Sequence, residues 1–356
     1  MYVCILGLPA IDIAMFTIVY AAYLVSLKNV KDPFLIPLNA ITFQLGNSWN
    51  DQILKYDDLS VGEIEGFMDK GAFVEKDGIV HTTDIKYENV TSWGLQRISK
   101  RDLPLTPELN VLEGEGEGVD VYVIDTGIEV QHKEFEGRAK WKSFIYGKTD
   151  DNGHGTHVSG LIGGSSTGVA KKANIFAVKV LGADGTGLFS DIIEGIEFVI
   201  KNRDPERYSL IHMSLGGPYR RLTNDAVFYA AKANIPVIVA SGNSNNDACS
   251  FSPSSAREAI SVAASNKQDG RAYFSNWSSR CVLMFAPGTN IYSSYKNGSY
   301  FTMSGTSMAA PLVTGIAATI LSTYKPKNVD LTAFLKEKLV EFATKDRLLD
   351  KPIYNR

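Results

Sequence analysis

This sequence predicts an α/β fold: a doubly wound parallel sheet with helices on both faces, preceded by a small α+β domain. Three observations carry the prediction. From Trp93 onward, strand-like and helix-like segments alternate: V-D-V-Y-V-I-D, A-N-I-F-A-V-K-V-L, S-D-I-I-E-G-I-E-F-V-I-K, Y-S-L-I-H-M-S-L, A-V-F-Y-A-A-K-A and I-P-V-I-V-A-S. The strand-like runs are apolar nearly throughout, as expected where both faces of a sheet are covered. The chain's 31 glycines, many of them clustered, supply sharp turns between strands and helices and places of close approach.

Taken in order, residues 1–27 are strongly apolar, with I-A-M-F-T-I-V-Y-A-A-Y-L-V the longest uninterrupted stretch; Asp12 breaks the run and no Lys or Arg precedes it. We expect a secretory signal peptide there, with a retained membrane anchor and a buried helix as alternatives. Residues 28–85 mix a strand-like L-N-A-I-T-F-Q-L, an amphipathic V-G-E-I-E-G-F-M-D-K and a strand-like A-F-V-E-K-D-G-I-V with D-G as a turn, which reads as a small α+β unit. Residues 86–356 form the main domain.

Composition narrows the function. With 356 residues, 44% of them hydrophobic and 21% charged, the chain can bury one large core plus an accessory unit. A net charge of -3 and a pI near 6.0, without long single-sign runs, give no electrostatic footprint for nucleic acid. Three cysteines, Cys4, Cys249 and Cys281, exclude a dense disulfide scaffold and leave at most one intrachain bridge and a spare.

Chemistry in an open parallel sheet collects at the carboxyl ends of the strands. V-Y-V-I-D-T-G ends its buried run on Asp125, a carboxylate that is costly to bury without a partner. D-N-G-H-G-T-H-V-S-G places His154 and His157 one helical turn apart, which suits a zinc pair, yet no third ligand follows at a metal-site spacing. S-G-T-S-M-A-A-P sets Ser307 where a small-residue turn gives way to an apolar helix, either as a cap or as a nucleophile. Asp, His and Ser together are what nucleophilic acyl transfer requires: a weak nucleophile, an imidazole to take its proton and a carboxylate to orient the imidazole.

D-T-G-I, H-G-T-H-V-S-G and S-G-T-S-M-A-A-P resemble the three active-site signatures of the subtilisin-like serine proteases, and the likeness runs from W-G-L-Q-R-I-S near residue 93 to about residue 325. It resembles most the proteinase K and cerevisin branch, through G-V-A-K-K-A-N-I-F-A-V-K-V-L, N-N-D-A-C-S-F-S-P-S-S-A and R-A-Y-F-S-N-W. The resemblance implies a subtilisin-like serine endopeptidase with Asp125, His154 as general base, and Ser307 as nucleophile; it leaves His157 a structural role. It further implies that Asn243, after V-I-V-A-S-G, shares an oxyanion hole with the Ser307 backbone N–H. An extended peptide substrate would lie between Ser214, Leu215, Gly216 and Gly217 on one side and Gly185, Thr186 and Gly187 on the other. Ala240, Ser241 and Gly242 would wall the S1 pocket, and Leu188 and Phe189 would stand near S4. These segments hold no carboxylate, which predicts apolar or aromatic P1 side chains.

The resemblance also implies a Cys249–Cys281 disulfide without Cys4, no required cofactor, and a monomer whose own propeptide is an intramolecular inhibitor cut off between residues 81 and 88. A structural calcium ion would lose its charged ligand, because Asn266 stands where relatives carry Asp. The destination is the secretory pathway, extracellular or vacuolar, with protein or peptide substrates. Three sequons, at Asn89, Asn276 and Asn297, permit glycosylation. A binding protein with a retained pro-segment and a silent triad is the rival from another class.

Overall fold

A computed structural model describes residues 92–106, 113–144, 147–187 and 189–349, the segment 61–76, and the short strands Tyr2–Val3, Tyr23–Ser26, Ile41–Gln44, Gln52–Tyr56, Lys86–Asn89 and Glu108–Val111. Cys4, Leu188 and most of residues 1–27 lie outside the described residues. The chain divides into two compact units, one of Met1–Leu8 with Ile85–Arg356 and the other of Pro9–Asp84. In the latter, Ile41–Gln44, Gln52–Tyr56, Tyr23–Ser26 and Phe73–Lys76 form, in that spatial order, a four-stranded antiparallel sheet, accompanied by the helix Val61–Asp69.

The larger unit is organised by seven parallel strands: β1 (Val119–Asp125), β2 (Ala139–Phe144), β3 (Asn174–Lys179), β4 (Tyr208–Met213), β5 (Val237–Ala240), β6 (Ile260–Ser265) and β7 (Met284–Pro287). Their spatial order is β7-β6-β5-β4-β1-β3-β2, every neighbouring pair parallel. The predicted doubly wound sheet is therefore what forms. All seven residues of β1 are buried, with Val121 and Val123 in one hydrophobic cluster and Tyr122 and Ile124 in the other. That two-sided burial is why its sequence shows no polar alternation.

Short helix α1 (Trp93–Ile98) precedes the sheet. Helices α2 (His154–Gly163) and α5 (Thr306–Tyr324) contribute to the first cluster, α3 (Phe189–Asn202) and α4 (Arg221–Lys232) to the second, and α6 (Leu331–Phe342) follows α5. Helix α5 is buried along most of its length as a core helix, which is why it is predominantly apolar; residues such as Leu312, Val313, Ile316 and Ile320 are wholly buried. The hairpin β8 (Ile291–Tyr295) and β9 (Ser299–Met303) packs on α2.

Helix α1 is fastened to the core. Arg97, fully buried, donates from Nε and Nη2 to both oxygens of Asp269 at 2.6 and 2.8 Å, and Trp93 Nε1 donates to Thr289 O at 2.9 Å. Cys249 and Cys281 form the expected disulfide, their Cα atoms 5.4 Å apart. One sequon is corrected. Asn276 is fully buried: its Oδ1 accepts from Ser244 N and Asn246 N, and its Nδ2 donates to Ser241 O, so the folded protein has no room for a glycan there. Asn297 stands exposed in the β8–β9 turn.

Candidate active site

β1 lies between β3 and β4, where the chain reverses its direction of winding, and Asp125 is its last residue. The Asp125 side chain is wholly buried, and its Oδ1 accepts from the Thr126 backbone N–H at 2.7 Å and from His154 Nδ1 at 2.8 Å. His154 opens α2 and keeps 19% of its side chain exposed, so one ring nitrogen is held by the carboxylate while the imidazole still reaches the cleft. Burial pulls the imidazole pKa down, but the Asp125 charge and hydrogen bond, with Asp150 behind them, outweigh it, and the net shift is upward.

A carboxylate absent from the sequence-based site sets this geometry. Asp150 Oδ1 accepts from Thr126 Oγ1 at 2.9 Å and Gly153 N at 2.8 Å, while its Oδ2 accepts from Thr156 N at 2.8 Å and Thr156 Oγ1 at 2.5 Å. Thr126 Oγ1 in turn accepts from Gly155 N at 2.9 Å. The amino end of α2 is thereby tied to the end of β1. Contact is so close that a Cβ on Gly155 would fall 2.0 Å from Gly127 O, which is why H-G-T-H needs its glycine. Beneath, the fully buried Lys179 donates to Thr126 O, Leu181 O and Asp151 Oδ1 at 2.5, 2.8 and 3.0 Å.

His157 faces away from this chemistry. It is fully buried, its Nε2 lies 3.0 Å from Phe301 O, and burial lowers its pKa to about 4. The two histidines are thus engaged separately, and among the described residues no three His, Cys, Asp or Glu side chains gather to hold a metal ion. Asn266 spends its Oδ1 on the turn it opens, accepting from Gln268 N and Gly270 N, and as a neutral amide it brings no charge to a cation.

Ser307 is the second residue of α5, and its hydroxyl donates to Ser214 O at 3.2 Å. The helix cap is Gly305, so Ser307 is not consumed by capping. Asn243 Oδ1 accepts from Thr306 N and Thr306 Oγ1 at 2.8 and 2.9 Å, which leaves the Nδ2 hydrogens for another acceptor. A methyl group on Gly305 would stand 3.5 Å from both Asn243 Nδ2 and Ser307 N. Both nitrogens thus border the small space that the glycine leaves open.

Two cavities meet at the strip Ser214–Gly217. One, of about 480 Å³, runs from His154 past Gly185, Thr186 and Gly187 to Phe189 and Ile192. The other, of about 440 Å³, is bounded by Ala240, Ser241, Gly242, Asn243, Phe251, Thr306 and Ser307, and no carboxylate lines it. The expected substrate-contacting residues that are described are thus gathered around one cleft. The glycines have an additional reason: a Cβ on Gly187 would meet Val180 O at 2.3 Å, on Gly216 Ser252 O at 2.9 Å, and on Gly217 the Phe189 ring at 2.8 Å. The protein's own packing excludes side chains there before any substrate arrives.

Comparison with known proteins agrees with this geometry. Residues 116–350 match the model of the Subtilase family. A subtilisin-like serine protease, Rho m 2.0101, of Rhodotorula mucilaginosa is 43% identical over 303 residues, covering 79% of this chain and 88% of its own. Cerevisin of Saccharomyces cerevisiae is 42% identical over 305 residues, and alkaline protease 2 of Aspergillus fumigatus 43% over 310; each match covers 79% of this chain but 48% and 62% of theirs. The chain thus spans about half of cerevisin. The crystal structure of a cold adapted subtilisin-like serine proteinase superimposes with a TM-score of 0.70 at 41% identity, covering 74% of this chain and 95% of that one.

Proposed function

We propose, on the premise that this chain belongs to the subtilase family of serine endopeptidases, that it hydrolyses peptide bonds with Ser307 as nucleophile, His154 as general base, Asp125 as the carboxylate that orients it, and Asn243 Nδ2 with Ser307 N as the oxyanion donors. The observation that carries this reading is the 2.8 Å bond between His154 Nδ1 and buried Asp125 Oδ1. His154 takes the Ser307 hydroxyl proton as Oγ attacks the scissile carbonyl; Asp125 stabilises the imidazolium so formed, which then protonates the leaving amine. Water, deprotonated by the same imidazole, hydrolyses the acyl-enzyme. The uncharged S1 cavity, with Phe251 in its lining, suits apolar or aromatic P1 side chains.

Residues 1–27 serve in this reading as a secretory signal, and the segment from Lys28 to about residue 85 as a self-cleaved inhibitory propeptide. The pairing of Lys86–Asn89 with Glu108–Val111 favours a cut before Lys86, since a later one would divide that strand. The test has three arms, two on the wild type and one comparing it with Ser307→Ala. A fluorophosphonate should label Ser307, a peptide library should be cut after large apolar residues, and Ser307→Ala should accumulate as uncut precursor while the wild type gains an N-terminus between residues 81 and 88. Processing of the alanine variant in a purified system would overturn self-cleavage, cleavage mainly after Lys or Arg would overturn the P1 assignment, and an unlabelled Ser307 would favour the silent binding protein.

A further inference from the structure

Behind Ser307 lies a polar chain that the reaction as described does not use. Pro311 stands inside α5, four residues after Ser307. In an α-helix the carbonyl of Ser307 would accept from the N–H of residue 311, and proline has none. Ser214 supplies the missing hydrogen: its Oγ donates to Ser307 O at 2.9 Å, while Ser307 Oγ donates to Ser214 O at 3.2 Å. Each serine's hydroxyl thus holds the other's carbonyl. Ser214 Oγ also lies 2.8 Å from His212 Nε2, and His212 Nδ1 lies 2.8 Å from Thr314 Oγ1, itself 3.1 Å from Ala310 O. His212 and Thr314 are fully buried.

Counting hydrogens fixes the direction of this chain. Four links, at Ala310 O, His212 Nδ1, His212 Nε2 and Ser307 O, compete for the hydrogens of two hydroxyls and one imidazole. Burial lowers the His212 pKa to about 3, so the ring is neutral and brings one N–H, making three hydrogens for four links. One link must therefore go without. Ala310 O retains the helical N–H of Thr314, whereas proline leaves Ser307 O without its helical i+4 donor and Ser214 Oγ takes that place, and a buried carbonyl is costly to leave unsatisfied. Ser214 consequently donates to Ser307, His212 donates from Nε2 to Ser214, and Thr314 donates to Nδ1.

We propose that His212, as the Nε2–H tautomer, is a positioning residue that holds the Ser214 hydroxyl on the Ser307 carbonyl and so fixes the first turn of α5 and the nucleophile it carries. The proposal rests on Ser307 being that nucleophile for its kinetic consequence, but not for the hydrogen-bond direction itself. Without His212 the Ser214 hydroxyl loses the donor that fixes its rotation. The Ser307 carbonyl then loses its substitute helix bond for part of the time.

Two measurements test this. In Ser307→Ala labelled with ¹⁵N-histidine, the His212 resonances, identified by their loss in His212→Gln, should show a neutral ring protonated at Nε2 throughout the range where ordinary histidines titrate. An Nδ1–H tautomer or an imidazolium overturns the proposal, and this result does not depend on activity. In the active chain, His212→Leu should lower kcat about five- to tenfold with KM changed less than about twofold, the weight of one hydrogen bond. The same change made on Ser214→Ala should cost nothing further, and His212→Gln, whose amide nitrogen reaches the Nε2 position, should recover most of the loss. An equal loss in both backgrounds would mean that His212 does not act through Ser214, whereas full activity of Ser307→Ala would instead remove the reading of Ser307.

Discussion

The two halves of the cleft are built from opposite materials. Around His154, carboxylates dominate: Asp125 holds the ring, and Asp150 ties the helix start to β1 with four accepted hydrogen bonds. Around Ser307, the polar groups are neutral: Asn243, Thr306, Ser214 and the uncharged His212. The proposed reaction would create an imidazolium on the first side and an oxyanion on the second. A carboxylate stabilises the one and would repel the other, so each half carries the charge its transition state needs.

The strongest way to break the contrast is to delete its centre. Ser307→Ala should cut kcat by about a millionfold with the fold retained, a drop known from subtilisin itself; turnover near wild type, measured on a chromogenic peptide, would contradict the assignment. Next comes the neutral half. Asn243→Ala should lower kcat by ~10²–10³ with little change in KM, again a range established on subtilisin. Asn243→Asp should be worse than Ala, because it places an anion where the oxyanion forms. If Asp proved better than Ala in steady-state kinetics, the charge contrast would be wrong.

On the acidic half the expected effect is a displacement in pH. In the proposed mechanism His154 is a base only when neutral, and its pKa is raised, so the acid limb of kcat/KM should lie above the ordinary imidazole value of 6.5. Asp150→Asn removes one of the charges that raise it, and the limb should move to lower pH; a limb that stayed put or rose would exclude Asp150 from this role. The smallest effect on turnover is expected well outside both halves, at Glu134. This buried carboxylate accepts from Ser166, Thr167 and Tyr300; burial opposes its ionisation, but those bonds hold its pKa at about 2. A depressed folded pKa stabilises the protein above the ordinary value of 4.5, and the gain is lost as pH falls towards 2. Glu134→Gln should therefore cost on the order of 3 kcal/mol near neutrality, progressively less in acid, and leave kcat unchanged. Unfolding curves across that range check it.

Legibility in the sequence followed how local each feature is. Asp125, His154 and Ser307 each sit in a short contiguous signature at a strand end or helix start, and the parallel sheet shows itself because β1 and β3 are buried on both faces. Asp150 has no local signature, because its partners Thr126 and Thr156 come from two different places, the end of β1 and the first turn of α2. His212 was visible only as one polar residue in an apolar strand. Its meaning depends on Pro311 and Ser307, about a hundred residues away, whose hydrogen-bond shortfall no local pattern reveals. Asn276 misled for the same reason: a sequon is three residues long, whereas burial is decided by the Ser241–Asn246 loop packed against it.

The fastening of α1 bears on the order in which the molecule is assembled. Arg97 reaches Asp269 across 172 residues of sequence, and Trp93 reaches Thr289 across 196. As the chain leaves the ribosome, the Arg97 and Trp93 side chains can meet these two partners only after nearly the whole catalytic unit has been made. Contacts of such long range make folding slow. They also mean that these two side-chain anchors of α1 can form only late. For an enzyme of a family that cuts polypeptide, burying Arg97 and tying Trp93 to Thr289 takes α1 out of the loose chain that such a site accepts.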